Sequence, residues 1–390
     1  MLRLALFLVF LSGALPAETA LTVPFFNHSG QQSLDWIGES VSEAIHDALA
    51  SEGLLTLDRE SRVEAYRRLS LRPDAELTHA SIIKVAQALD ASHVIYGFYE
   101  VLPAPESEGR SKGSLRITAR IIDMKAGVQG PPFMETGAME DLAVIEQRIG
   151  WQALESLSPQ TAPREDDFLR ARPPVRLDAL ESYTRGLMAA MPDERRRYFS
   201  QAARLDEHYS QPCFQLGKAS WDEKDYKTAG TWLARVTRSD PHYLEARFFL
   251  GLCRYFTGDY PAAEDAFREV AAAVPLNEVY NDLGAAQEQD DASAAVASFQ
   301  KALEGDDADP DYRFNLGYAQ WRLGHFDDAV ESFRAALQRA PTDTEATTFL
   351  GMALKREGPR PGDPKTAGRQ RIKTNYDEQA YRELKAELKK

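Results

Sequence analysis

Residues 313–341 read RFNLGYAQWRLGHFDDAVESFRAALQRAP. The stretch holds two apolar-periodic segments, and spacing of this kind predicts a helix in each. Leu316-Gly317 lies in the first, Gly324 between them, and Phe326, Ala329, Phe333 and Ala336 in the second, before Pro341. Small residues at Gly317 and Ala329 let two antiparallel helices approach closely. Phe333 is placed to fill the gap to a neighbouring pair, and Pro341 falls where a helix must end.

The pattern recurs in both directions. Leu-Gly pairs place glycine at 217, 251, 284, 317 and 351, in steps of 34, 33, 33 and 34 by subtraction, with Gly186 at a shorter step of 31. Pro241, Pro275 and Pro341 run in phase, with Asp307 in the matching slot. Tyr226 with Ala229, Tyr260 with Ala263, and Phe326 with Ala329 form a third marker, followed by Phe267, Phe299 and Phe333. A fixed period of this length signals stacked units, none of which buries its apolar face alone. With these residues in register, the segment resembles the tetratricopeptide repeat family. The resemblance covers residues 178–358 and implies an all-α solenoid. The turn around Met191-Pro192-Asp193 is shortened, and the unit near Asp290-Asp291 lacks its turn glycine.

Gly358-Pro359-Arg360-Pro361-Gly362 ends the array. In the tail, residues 359–390, helical spacing of Tyr376, Ala380, Tyr381, Leu384 and Leu388 predicts a helix that caps the open end of the solenoid. The Lys and Arg of this tail are expected on a solvated face.

Upstream, residues 18–157 show no such period. Leu21 to Phe26, in VPFFNHSG (residues 23–30), reads as a buried strand closed by turn residues. Trp36 to Leu49 and Ile82 to Leu89 read as helices, and Leu54 to Leu57 as a short strand. His93–Val101 and Ser114–Ile121 read as a hairpin with a long polar loop, and Asp141–Leu157 as a closing helix. The order of VPFFNHSG, WIGESVSEAIHDAL, VAQALDASHVIYGFYEV, LRITARIIDMKAG and DLAVIEQRIGWQAL is similar to that of the TolB-type amino-terminal domain. That resemblance implies a small mixed α/β domain used for protein contacts in the cell envelope. The β-propeller that follows it in TolB has no counterpart here. Residues 158–177, with four prolines, are expected to be a linker. The fold class expected is therefore α+β multidomain, a small α/β domain before an all-α solenoid.

At the amino terminus, Arg3, the apolar run Leu4–Leu11 and Ala14-Leu15-Pro16-Ala17 have the layout of a secretory signal. Cleavage is expected after Ala17, giving an exported, periplasmic chain with no transmembrane segment. With 46 basic against 60 acidic residues the net charge is -14, which argues against a nucleic-acid partner. Cys213 and Cys253 fall on apolar helix faces and read as buried thiols rather than a disulfide.

No phosphate loop, dinucleotide fingerprint, nucleophile elbow or zinc-spaced His/Cys set is present. No cofactor, metal or catalytic residue is assigned. His28 and Ser29 are adjacent in an extended stretch, so their side chains diverge. The acidic run Asp306-Asp307-Ala308-Asp309 reads as a solvated turn before Pro310.

A helix-pair solenoid presents a concave wall built from the first helix of each pair. In register with the glycines, the residues that the family places there are Phe214, Lys218, Trp221, Phe248, Tyr255, Asn281, Phe314, Tyr318, Trp321 and Arg322. Met352, Lys355 and Arg356 continue the row in the partial unit. The wall is rich in aromatics beside Lys and Arg, as peptide-binding surfaces are; the same rings could instead pack on the next helix pair. Phe214 occupies the place of a carboxylate-clamping Lys, so a hydrophobic protein or peptide segment is the expected ligand. The function expected is a non-catalytic scaffold or adaptor with protein partners in the envelope. The alternatives are an outer-membrane assembly or secretion accessory factor and, from another class, an envelope hydrolase centred on His28.

Overall fold

The structure, a computed structural model, describes residues 18–72, 75–102, 113–360 and 363–388. The expected leader, residues 1–17, and most of the hairpin loop, residues 103–112, lie outside them.

The first unit contains β1 (Thr19–Thr22), β2 (Phe26–Asn27), α1 (Trp36–Ser51), β3 (Leu55–Thr56), α2 (Arg59–Arg68) and α3 (His79–Ala88). It continues with β4 (His93–Leu102), β5 (Ser114–Asp123), β6 (Val128–Gln129), β7 (Phe133–Ala138) and α4 (Leu142–Leu157). The sheet order is β3-β1-β4-β5-β6, with β2 also on β4 and β7 also on β5. The first three strands pair in parallel, and β4 with β5 form an antiparallel hairpin from His93↔Asp123 to Leu102↔Ser114. Alternation along β4 and β5 divides the core by face. Ile95, Tyr99, Leu115 and Ile117 join Trp36, Ile45 and Ile149 of α1 and α4. Leu21, Val94 and Ile122 join Ala65, Ile82 and Val85 of α2 and α3.

The single strand expected over Leu21 to Phe26 is broken: Val23-Pro24-Phe25 connects β1 to β2, which begins at Phe26. Phe25 N–H donates to Gly38 O at 3.0 Å. A Cβ on Gly38 would stand 2.0 Å from Phe25 O, so the first turn of α1 needs a glycine at this position for the β1–β2 turn to close. Helix α2 and strand β7 have no counterpart in the sequence reading. Helix α2 is anchored by a charge as well as by Ala65 and Tyr66: fully buried Arg62 pairs with Glu39 at 2.5 Å and donates to Ser42 Oγ at 2.6 Å.

Residues 158–177 are not a free tether. Helix α5 (Glu165–Ala171) lies there with Phe168 buried, and Arg172 covers the Phe168 ring at 3.7 Å while pairing with Glu52 at 2.9 Å.

The solenoid follows as α6 (Leu177–Met188), α7 (Pro192–Leu205), α8 (Gln211–Asp222), α9 (Tyr226–Leu233), α10 (Tyr243–Phe256) and α11 (Tyr260–Ala273). It continues with α12 (Asn277–Gln287), α13 (Ala292–Gly305), α14 (Pro310–Arg322), α15 (Phe326–Arg339) and α16 (Thr344–Leu354). The periodic glycines receive the periodic rings. Cβ atoms on Gly251, Gly284 and Gly317 would stand 2.7, 2.7 and 3.0 Å from Phe267, Phe299 and Phe333. Each ring therefore locks the two helices of its own pair, besides facing the next one. Where the turn glycine is missing, Asp291 caps α13 through Ser293 N–H and Ala294 N–H.

The last helix, α17 (Glu378–Leu388), does not cap the free end of the array as expected. Residues 363–377 turn back along the concave face, and α17 arrives beside β3, where Arg382 donates to Ala50 O at 2.9 Å. Among the described residues no helix is long and apolar enough to cross a membrane. Cys213 and Cys253 are buried and unpaired.

Candidate functional site

The concave wall is built from α10, α12, α14 and α16, and the chain's own residues 363–377 run across it. This stretch has no helix or strand beyond a turn near Thr366. Backbone groups of Thr366, Arg371 and Lys373 are taken up by the wall.

Two asparagines read the backbone at Arg371. Asn315 Oδ1 accepts Arg371 N–H at 2.8 Å, and Asn315 Nδ2 donates to Arg371 O at 2.8 Å. Asn281 Nδ2 donates to the same carbonyl at 2.8 Å, and Asn281 Oδ1 accepts from Asn315 Nδ2 at 2.7 Å. Next to Asn281 on α12, Asp282 Oδ1 accepts Lys373 N–H at 2.9 Å. Tyr318 Oη donates to Thr366 O at 2.6 Å. With the tail in place Asn281, Asp282 and Asn315 are fully buried, and the two asparagines are also hydrogen-bonded to each other.

Acidic residues select the side chains. Arg371 pairs with Asp311 at 3.1 Å, Asp343 at 2.7 Å and Glu345 at 3.4 Å, and its guanidinium lies 3.7 Å above the Phe314 ring. Lys373 Nζ lies 2.8 Å from both Asp309 and Asp311. Local sequence explains why these acids stand together. Asp309 and Asp343 are the N-caps of α14 and α16, with Asp311 and Glu345 in the first turns. Stacking of the helix pairs puts those starts side by side. Burial works against ionisation of Asp311, but Lys373 and Arg371 outweigh it and hold the carboxyl below its usual value. Burial likewise works against charge on Lys373, and Asp309 and Asp311 reverse that and raise it. Burial pushes Asp282 well above the carboxylate range despite the Lys373 N–H it accepts.

Beyond the cations, Gln370 meets Glu288, a buried carboxyl that burial pushes up to about 7 against the pull of Arg322. Tyr376 stacks on Phe248 with centroids 5.1 Å apart.

The expected wall residues divide into three groups. Phe248, Tyr255, Asn281, Phe314 and Tyr318 touch residues 366–376, Tyr255 through a 3.5 Å contact with Gln370. Trp321 donates to Glu357 O at 2.6 Å, where the array ends, and Arg322 pairs with Glu288 at 2.7 Å. Phe214, Lys218 and Trp221 instead pack on the next helix pair. Phe214 stacks on His242, Lys218 lies over Phe249 and pairs with Glu245, and Trp221 packs on Phe249 and Phe256. Arg356 pairs with Asp327, and Lys355 is exposed.

Three expectations are corrected. The basic tail is not a uniformly solvated face, because Arg371 and Lys373 are drawn into the acidic wall. The acidic run before Pro310 is not merely a solvated turn, since Asp309 both caps α14 and holds Lys373. The occupant is not chiefly hydrophobic, because polar and charged contacts dominate. The tail residues that fill the site were missed. The available signal was the alternation of Arg369, Arg371 and Lys373 together with acids that recur at helix starts.

His28 does not assemble a catalytic group. Its ring stacks on Phe98, with centroids 4.6 Å apart, and its Nε2 is 3.4 Å from Glu76, while Ser29 Oγ turns to Asn27 Oδ1 at 2.5 Å. Among the described residues no cluster of three or more His, Cys, Asp or Glu is arranged to hold a metal.

The tetratricopeptide repeat family profile matches residues 213–278 and 285–344. No curated protein sequence matches the chain. Among solved structures, a MamA RS-1 double mutant is 24% identical, with TM-score 0.37 over 42% of this chain and 92% of that one. MamA from residue 41 of Desulfovibrio magneticus RS-1 is 24% identical, with TM-score 0.37 over 43% and 95%. YrrB, described as a tetratricopeptide repeat protein with an unusual peptide-binding site, is 18% identical, with TM-score 0.36 over 48% and 91%.

Proposed function

We propose that this chain, which carries tetratricopeptide repeats over residues 213–278 and 285–344, is a non-catalytic scaffold that holds protein or peptide segments in its concave groove. It acts in the periplasm of a bacterium after removal of a leader ending at Ala17, and its TolB-like α/β unit offers a second contact surface to envelope partners.

One observation carries the reading. A stretch without regular structure lies along the groove with its backbone hydrogen-bonded by buried Asn281 and Asn315. Contacts to the backbone do not depend on the side chain read, so the same amides can receive another segment. The test is chemical crosslinking in envelope extracts, comparing the unaltered chain with Asn281→Ala/Asn315→Ala. Loss of partner adducts in the variant supports the groove, and identical adduct profiles overturn it. Recovery of a periplasmic form beginning at Glu18 tests the location; an unprocessed cytoplasmic form refutes it.

A further inference from the structure

We propose that residues 366–376 are a displaceable ligand held in cis. The groove's partner in trans is then an extended segment with two basic residues two positions apart and an aromatic three positions later, as in Arg371, Lys373 and Tyr376. The inference rests on reading the groove as a binding surface and adds the chemistry of its occupant.

The wall is complementary to that pattern at each point. Paired asparagines hold the backbone beside the first cation, Asp311 bridges both cations, and Phe248 receives the aromatic ring. Charge sets the selection: an acidic segment would face Asp309, Asp311, Asp343 and Glu345 with no cation to offset them.

The same geometry makes the tail exchangeable. Between residues 363 and 377 only Thr366 is fully buried, while Thr374, Asn375 and Asp377 are exposed. Apolar docking of the segment is confined to the half-buried Ile372 and Tyr376, and the rest is held by polar contacts that a competing chain can copy. Tethering raises its local concentration to the order of millimolar. A segment in trans must overcome that advantage, so the resting groove is closed to weak or mismatched chains.

The test measures fluorescence anisotropy of a labelled peptide of residues 364–377, PKTAGRQRIKTNYD. Its receptors are the full-length protein and the Arg371→Glu/Lys373→Glu variant, whose own tail is mismatched to the acidic wall. The variant is expected to bind the peptide at least about tenfold more tightly than the unaltered chain. A peptide carrying the same two reversals is expected to bind neither. Equal affinity for both proteins, or equal binding of the reversed peptide, overturns the proposal.

A second readout does not depend on the charge variant. With photoreactive benzoylphenylalanine in place of Tyr376, the intramolecular adduct to α10 should fall as unlabelled peptide is added, and an unchanged adduct overturns displacement. If the peptide fails while partner adducts still depend on Asn281 and Asn315, the ligand class is wrong and the scaffold reading survives. Loss of that dependence removes the scaffold reading itself.

Discussion

Asn315→Ala removes the side chain that grips both backbone groups of Arg371. Three hydrogen bonds are lost: two to Arg371, each at 2.8 Å, and one to Asn281 at 2.7 Å. A net contribution of about 1 kcal/mol per bond gives about 2–3 kcal/mol. Asn281 still holds Arg371 O, and the cations keep their acids, so the tail loosens without leaving. Because 1.4 kcal/mol corresponds to a tenfold change, opening should become roughly 30–140-fold more frequent. The assay is amide hydrogen exchange read by mass spectrometry, comparing the peptide spanning residues 366–377 with peptides from α12 and α14. The reasoning predicts faster exchange confined to the tail. Unchanged exchange in the tail refutes it. So does equal acceleration in α12 and α14, because Asn315 would then be holding repeats together rather than the tail.

Further tests address the body of the fold. Burial pushes Glu146 up to about 8 from its ordinary 4.5. The folded chain keeps a proton that the unfolded chain has already released, so this contribution to stability is full below about pH 4.5 and is lost as pH rises to about 8. Burial raises Asp47, to about 6, in the same direction. Melting temperature should therefore fall between pH 5 and 8, and Glu146→Gln should flatten that fall; an unchanged profile contradicts it. Gly284→Ala should cost about 1–3 kcal/mol in denaturant unfolding, because the new Cβ would stand 2.7 Å from the Phe299 ring. Gly351→Ala meets nothing within 4 Å and should be neutral or stabilising by up to about 1 kcal/mol; equal losses at both sites would refute the glycine–ring packing.

The repeat was legible because its period is enforced by contact. Gly251, Gly284 and Gly317 must be small where Phe267, Phe299 and Phe333 press on them, and such pairs repeat visibly along a sequence. The strands β4 and β5 were legible because their apolar residues follow the period of a sheet packed on both faces, Ile95, Tyr99, Leu115 and Ile117 on one and Val94 and Ile122 on the other. Helix α2 was hidden because it docks through Arg62, which no apolar period reports. The wall's position was legible from register, but its occupant was not. Residues 363–377 have no period, and their wall partners lie 24 to 128 positions away in the chain, as in Arg369 with Glu345 and Tyr376 with Phe248. For the same reason Phe214, Lys218 and Trp221 could not be separated from Phe248, Phe314 and Tyr318 before the path of the tail was known.

The central claim is that the chain's own carboxy-terminal segment occupies the concave groove. The most direct measurement places benzoylphenylalanine at position 376, irradiates the monomeric protein and maps the adduct by mass spectrometry. The Tyr376 and Phe248 rings are 5.1 Å apart, so the account predicts an intramolecular adduct within α10, residues Tyr243–Phe256. Absence of an adduct, or adducts scattered outside α10 and the neighbouring wall, would contradict it.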